Sequence, residues 1–575
     1  MGTGNMDAWL QEKTISESSI REELVRVLSS PLFRNATRAS RFLTHVVEQT
    51  LQGRAEELKE YVLGLTVFDR SETFDPRIEP VVRVEAGRVR QKLTRYYQSQ
   101  TVHGPVRIEL PKGAYVPLFR KPSVADAPEP ESGDRPVTVA ITRFTDNSDR
   151  TDQGYICEGI VDELTRGLTR IEGLQVFSAA ARTWAQLILE GSIRRDADRL
   201  RIGIRLIERK TGRYLWSERY DRQFSDVLSL QEEIVRAIVG ILVPRLTDRA
   251  PCLAARATNN PTAYRVYLKG RHFAGLRTGE GLHESISLYQ RALEIDPGFA
   301  LAHAGLADSF TLLANYGVSP PGSVRERAYR AAQCAVRLAP DVAEVHVSLA
   351  HVVATYLHDW DRAESEYEHA IDLNPRLAAA HHWYAITCLM PQRRLAEAQL
   401  EMEAALELDP VSVSITRDAG VAAWARRDFE SAADRARHAL KIEPGFHENY
   451  WILALACEQL GQLPAAIDAL ERAASLRRSP RIIGALGHVL GLSGRENEAR
   501  ARLYELQELS EERYVSPFEH AVVCLGLRDF EQSLEWLEAA RAGQCYETVW
   551  LRIDPRFDPL RQSSRFQTIL NSLGL

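Results

Sequence analysis

Five phrases of one pattern decide how the second half of this chain folds. They are "LYQRALEIDPGFA" (Leu288–Ala300), "AAQCAVRLAPDVA" (Ala331–Ala343), "EYEHAIDLNPRLA" (Glu366–Ala378), "EMEAALELDPVSV" (Glu401–Val413) and "RARHALKIEPGFH" (Arg435–His447). Their prolines fall at 297, 340, 375, 410 and 444, spaced 43, 35, 35 and 34 residues apart. Five residues before each proline stands an alanine: Ala292, Ala335, Ala370, Ala405 and Ala439. Twelve before it stands a small residue: Ser285, Ala328, Ala363, Ala398 and Ala432. Small side chains at fixed points let two helices approach closely, and a proline then stops the second helix. A period near 34 that recurs in register predicts helix–turn–helix units that stack, because no unit can bury its apolar stripe alone.

This pattern resembles the tetratricopeptide repeat. The resemblance covers the chain from Thr262 onward, with about eight units over 262–545 and a capping segment at 546–575. The second unit carries an insertion at "YGVSPPGSVRER" (Tyr316–Arg327), and looser copies follow Pro480, around Ile482–Leu509 and Pro517–Ala542. The resemblance implies a superhelix whose concave groove takes a peptide or partner helix; a homo-oligomer is a further partner to test.

The rest of the chain divides by composition. "RKPSVADAPEPESGDRP" (Arg120–Pro136) has four prolines and no apolar periodicity, which is linker composition. A weaker boundary lies at Thr247–Thr262. The expected domains are therefore 15–120, a linker at 121–136, 137–248, and the repeats. Of 575 residues, 45% are hydrophobic and 26% charged, which is globular composition. No apolar run approaches the roughly 18 residues a membrane span needs, and the N-terminal stretch has acids and no apolar core, unlike a secretory signal. The seven cysteines lie far apart with no CxxC, which suits buried free thiols in a reducing compartment. A cytoplasmic protein without a membrane partner is expected.

The middle block alternates strands and helices before a meander. "VTVAITRF" and "LQVFSA" flank a helical "GIVDELTRGLTRI"; "LILEGSIRR", "LRIGIRLIER" and "RYLWSERYDR" follow as strands across polar turns, and "LSLQEEIVRAIVGIL" closes as an amphipathic helix. This is the pattern of a small α/β domain. "EGIVDELTRGLTRIEGLQV", "LEGSIRR" and "YLWSERYDR" resemble the TolB-like N-terminal domain found before tetratricopeptide repeats in bacterial multidomain proteins. The stretch between "SAAARTW" and "LILEGS" is shorter here than such domains usually have.

The N-terminal block holds the chain's charge anomaly. Between Arg77 and Lys121 stand ten Lys/Arg and three Asp/Glu, a balance of +7 in a chain of net −6, so the remainder carries −13. A basic island on an acidic protein points to an anionic partner. In "VVRVEAGRVRQKLTRYY" (Val81–Tyr97), Val82, Ala86, Val89, Leu93 and Tyr96 recur at helical spacing as a buried face. "IREELVRVLSS", "ASRFLTHVVEQTLQG" and "EELKEYVLGLTVF" precede it as helices, and "VRIEL" and "YVPLF" follow as a hairpin around "PKGA". The pattern Val82-Arg83-Val84, then Arg88-Val89-Arg90-Gln91-Lys92-Leu93, with the hairpin, resembles the winged helix-turn-helix of OmpR-type response regulators and their tetratricopeptide-bearing relatives. The resemblance implies a helix in the major groove and a wing on the backbone. Arg83, Arg88 and Arg90 would contact bases or the groove; Lys92, Arg95 and Lys112 would contact phosphates, with DNA bound through residues 77–120. Glu85 departs from that pattern by placing a carboxylate on the DNA-facing side.

Catalytic signatures are missing from the sequence: no GxxxxGK[ST], GxSxG, HExxH or strand-linked GxGxxG. His381 and His382 cannot face one way on a helix, so one core and one surface histidine is expected rather than a metal site. Carboxylate pairs on the repeat helices read as solvent-side charge. Related architectures sometimes carry a nucleotide cyclase domain, but none of the three blocks has room for one. The sequence therefore predicts a multidomain, mainly α protein: an N-terminal winged helix, a small α/β domain and a C-terminal tetratricopeptide superhelix. It predicts no enzyme and no cofactor. The function expected is a DNA-binding transcriptional regulator whose repeats bind a protein; the alternative is a repeat scaffold that never touches DNA.

Overall fold

The computed structural model describes residues 16–30, 33, 37–68, 81–98, 106–111, 114–120, 137–142, 144–147, 154–169, 174–177, 185–196, 199–223, single positions between 230 and 241, 258–409 and 412–574. The expected linker at 121–136 lies outside these residues. The chain forms two compact units, Met1–Asp134 and Arg135–Leu575.

The first unit is helical with one hairpin. Helix α1 (Glu17–Ser29) starts where the Ser16 hydroxyl accepts the Ser19 N–H. Helix α2 (Thr37–Leu51) stops ahead of Gly53, whose φ of 74° lies in the left-handed region open to glycine. Helices α3 (Glu60–Thr66) and α4 (Val81–Gln98) follow, then strands β1 (Arg107–Glu109) and β2 (Leu118–Arg120), paired antiparallel with Ile108 opposite Phe119. The face expected of α4 is the face it buries: Val82, Ala86, Val89, Leu93 and Tyr96, against a core that includes Phe42 and Val46. Tyr97 is buried as well, and its hydroxyl accepts the Ile108 N–H at 2.9 Å, tying α4 to the hairpin. The strands are three residues long, shorter than the two five-residue segments the alternation suggests.

The second unit begins with a sheet of strands β3 (Val137–Ile141), β4 (Thr145–Asp146), β5 (Leu174–Phe177), β6 (Leu187–Asp196), β7 (Arg199–Glu208) and β8 (Tyr214–Gln223). Their order is β5-β3-β6-β7-β8, with β4 beside β6. β3 runs parallel to both β5 and β6, as a strand–helix–strand crossover through helix α5 (Gly154–Thr169) requires; β6, β7 and β8 form an antiparallel meander. One face of β7 (Leu200, Ile202, Ile204, Leu206) and one face of α5 (Ile160, Leu164, Leu168) are buried together in one core. Leu230, Ile234 and Ile238, three of the described positions of the expected closing helix, join it.

Eight helix pairs follow among the described residues. They are Pro261–Gly275 with Gly279–Ile295, Ala300–Asn315 with Pro321–Leu338, Ala343–Val352 with Trp360–Leu373, and Ala378–Trp383 with Leu395–Leu408. Then come Val413–Ala425 with Phe429–Ile442, His447–Gln459 with Leu463–Leu476, Pro480–Leu492 with Glu496–Glu512, and Pro517–Gly526 with Phe530–Ala542. The first helices of pairs three and four run on in a wider turn over Val353–Leu357 and Tyr384–Leu389. Second helices end at Ile295, Leu338, Leu373, Leu408 and Ile442, two residues before the periodic prolines. All ten of the small residues picked out by the spacing are buried. Each turn inside a pair holds one left-handed residue: Arg277, Gly317, His358, Arg393, Arg427, Gly461, Gly494 and Arg528. Beyond the eighth pair, Ser564–Ser572 covers its open end, with Phe566, Ile569 and Leu570 packed around Phe518 and Leu537.

Candidate functional site

The six basic residues expected at DNA divide in three ways. Arg83 is exposed and its Nε donates to Glu60 Oε1 at 2.7 Å, so α3 supplies it with a counter-charge. Arg90 points inward: its Nε and Nη2 donate to the carbonyls of Leu110, Pro111 and Ala114 at 3.0, 3.1 and 2.9 Å. Burial lowers its pKa, and the guanidinium works as a strap between α4 and the hairpin. Lys92 is half-buried on the same helix. The side chains of Arg88 and Arg95, and the whole of Lys112, lie outside the described residues, as does the side chain of Glu85.

The second region is the inner side of the repeat array, where single carboxylates outside the carboxylate pairs face inward. The first helices of successive pairs turn a connected set of charges inward. Arg417 holds Asp418 in two bonds of 2.7 and 2.9 Å and also donates to Glu448. Arg481 reaches Glu448 at 3.5 Å and Glu547 at 3.9 Å, and donates to the Asn315 carbonyl at 2.7 Å. Arg556 is bound to Asp554 and lies over the Trp424 ring, 5.9 Å from its centre. Asp418 and Glu448 are fully enclosed, and burial alone would raise both; Arg417, with His382 beside Asp418 and Arg481 beside Glu448, outweighs it and holds both below the usual carboxylate range. The opposite holds for Glu519, which burial and the neighbouring Glu547 push up to about 7 against the pull of Arg481 and Arg556. Burial raises Glu547 too, although Arg481 pulls it down.

Two features narrow this interior. Tyr546–Trp550, expected only to cap, folds into it, and Tyr316, which caps the first helix of pair two, meets Arg417 of pair five at 3.2 Å. What stays empty is a cavity of about 120 Å³. A wider cleft of about 940 Å³ opens between the sheet, through Ile141, Val176 and Phe177, and the first four pairs, through Tyr267, Asp308, His351 and Ala378. Asp308 is enclosed there and burial pushes it up to about 6, while burial followed by the nearby Arg277 and His382 brings His351 down to about 3.

His381 and His382 do face opposite ways, but both are buried, against the expectation of one at the surface. His381 bonds Glu401 at 2.6 Å and the Pro375 carbonyl at 2.9 Å; His382 bonds Asp418 at 2.7 Å. A first helix of the array has neighbours on both sides and no solvent face at this point. The histidine hook to the preceding periodic proline recurs at His303 with Pro297 and His346 with Pro340. "PGFALAH", "PDVAEVH" and "PRLAAAH" carry that signal in the sequence, where it went unread. Among the described residues, no helix is long and apolar enough to cross a membrane.

Comparison with known proteins bears on the array. The model of the tetratricopeptide repeat family matches residues 447–480, which is the sixth helix pair. A protein of Rhizobium meliloti (strain 1021), provisionally named adenylate cyclase 3, is 31% identical over 232 residues, covering 37% of this chain. The chain spans 39% of that relative's length. Among solved structures, Pseudomonas aeruginosa PilF is similar at 18% identity, 37% of this chain, 92% of that one and a TM-score of 0.30. The Cut9–Hcn1 assembly of the APC/C is similar at 12% identity, 60% of this chain, 59% of that one and a TM-score of 0.39. YrrB, described as a tetratricopeptide-repeat protein with an unusual peptide-binding site, matches at 15% identity, 33% of this chain, 92% of that one and a TM-score of 0.23. The C-terminal part of the chain is a tetratricopeptide-repeat array, an architecture that supports a protein-interaction scaffold.

Proposed function

We propose that the chain is a scaffold that holds a segment of a partner protein in the cleft between its sheet and its first four helix pairs. The observation that carries this reading is the contrast between the two hollows of the array. The inner one is narrowed to about 120 Å³ by the chain's own Tyr546–Trp550, whereas the cleft offers about 940 Å³, within the range of a ligand-binding site. Its walls mix apolar residues with Arg277, Asp308 and Ser348, so a partner meets both a burying surface and points that fix its register. Filling the cleft tests the reading. Ala378→Trp with Ala379→Trp should abolish capture of a partner that the unmodified chain retains and that rebinds as a purified protein. Retention of that partner by the filled variant would send the search to another surface.

A second reading, favoured by the basic helix followed by a hairpin in the first unit, adds DNA binding to the scaffold. Under it the first unit is a winged helix and the whole chain a transcriptional regulator, with the sheet domain, TolB-like in sequence, as spacer or sensor. Phosphate neutralisation would supply most of the affinity, so binding should fall steeply with salt. Arg83 is paired with Glu60 and Arg90 bonds the hairpin carbonyls; under this reading Arg88, Lys92, Arg95 and Lys112 are the residues to test for the contact. Titration of labelled duplex with the full chain at several salt concentrations decides it, with Arg88→Ala/Arg95→Ala as the control. The likeness to a protein named as a cyclase covers 39% of that protein, and its named activity is not carried over to this chain.

A further inference from the structure

The 120 Å³ cavity inside the array has a charge imbalance that its own residues do not cancel. Arg417 and Arg481 are matched by Asp418 and Glu448, and Arg556 is matched by Asp554. Glu519 and Glu547 remain, two carboxylates over the three guanidiniums. Glu547 has the Ser516 hydroxyl at 3.3 Å and Arg481 at its margin; Glu519, 4% exposed, accepts no hydrogen bond among the described residues. A buried carboxylate without a donor is costly, and a second one beside it raises the cost.

Independent of the carboxylates, three neutral polar atoms in the wall have no hydrogen-bond partner among the described residues: the indole Nε1–H groups of Trp424, 3% exposed, and of Trp451, and the Oδ1 of Asn315, 6% exposed. Buried donors and acceptors are almost always satisfied in folded proteins, so two orphan indole donors, an orphan acceptor and an unmatched carboxylate around one hollow describe what is missing from it. The missing group carries positive charge and N–H donors, and it also carries an acceptor. Rings line the rest of the wall. Trp451 and Trp424 already face Arg481 and Arg556, while Tyr546 and Trp550 pack edge to face with each other. An aromatic wall of this kind accepts an ammonium group or its methyls.

We propose that this cavity is a binding site for a small amino alcohol, its ammonium group set against Glu519 and Asn315 Oδ1 and its oxygen accepting from Trp424. Size agrees: a cavity of about 150 Å³ holds a benzene ring, so 120 Å³ takes roughly four to seven heavy atoms. An anion is disfavoured, because it would add to an excess of negative charge. A peptide is excluded by volume. The site lies in the array's interior and adjoins the cleft proposed for a protein partner at Leu312 and Trp383, but Glu519, Asn315 and Trp424 belong to the cavity alone, so the two readings are tested separately.

The test is a thermal-shift titration of the full chain at pH 8 with ethanolamine, beside choline, which keeps the charge but has no N–H donor, ethylene glycol, which lacks the charge, and acetate, which reverses it. Ethanolamine should raise Tm with saturation, choline should do so more weakly, and ethylene glycol and acetate should not. Glu519→Gln, which removes an unmatched charge and should fold at least as well, should weaken the response about tenfold or more. Three results overturn the proposal: no response to ethanolamine, a response of equal strength in Glu519→Gln, or saturable stabilisation by acetate in place of ethanolamine.

Discussion

Arg481 Nη2 donates to the main-chain carbonyl of Asn315 across 2.7 Å, although the two residues stand 166 positions apart. Asn315 ends the first helix of pair two and Arg481 opens the first helix of pair seven. A repeat unit normally touches only its neighbours. Here the superhelix closes on itself, and the same guanidinium also faces Glu448 and Glu547 from inside. Arg481→Met would therefore break the closure and leave two buried carboxylates with less counter-charge. A loss of about 3–5 kcal/mol is expected, read as a lower urea midpoint by tryptophan fluorescence. Limited proteolysis should then cut first near the C-terminal segment. An unchanged midpoint would show that the closure contributes nothing to stability.

Glu519 makes stability depend on pH with an unusual sign. Its pKa lies at about 7 in the folded chain, against an ordinary value of 4.5, because it is enclosed and faces Glu547, with Arg481 and Arg556 pulling the other way. The folded state thus binds more protons than the unfolded state between these values. Stability then falls as pH rises through that window, by on the order of 1–3 kcal/mol. Glu519→Gln should remove this component. Urea midpoints of the two proteins should converge near pH 5 and separate by pH 8, with the glutamine form the more stable. Parallel curves across that range would sink the argument.

How much of this was readable beforehand follows from what periodicity can carry. The ten small residues ahead of the prolines were found from spacing alone and are all buried, because close helix approach leaves a fixed mark at a fixed place. The buried face of α4 was found the same way. The inner charge network was missed, since Asp418, Glu448 and Glu519 look locally like any polar residue on an amphipathic helix. Only the curvature of the array, a sum over eight pairs, turns them toward one another. The hairpin bonds of Arg90 are hidden for a related reason: its helical position is compatible with a groove, and only the path of the hairpin brings three carbonyls to it.

The turns inside the pairs give a test free of charge effects. Gly461 has a φ of 73°, and a Cβ added there would meet nothing within 4 Å. Gly461→Ala should therefore cost only the strain of a left-handed alanine, ~1 kcal/mol. Arg528 occupies the same place in pair eight with a φ of 60°. Arg528→Gly should relieve that strain and gain ~0.5 kcal/mol once the added freedom of the unfolded chain is deducted. Chemical denaturation of both single variants measures this; changes of the same sign would show that the turn conformation is not what governs them.

Arg90 and Arg95 separate structure from recognition in the first unit. Arg90 joins α4 to the segment between the strands through three carbonyls, and Tyr97 joins the same helix to β1. Arg90→Ala leaves those carbonyls without a charged donor, and hydrogen bonds from charged groups are worth about 1.5–3 kcal/mol each where they are buried. The expected effect is loosening of the hairpin, seen as faster amide exchange at Ile108 and Phe119, whether or not DNA is present. Arg95→Ala should leave exchange unchanged. If the unit binds duplex DNA, it should weaken all sequences alike and lower the salt slope by about one. A loss of DNA binding in Arg90→Ala with exchange at Ile108 unaltered would instead return that guanidinium to the DNA interface.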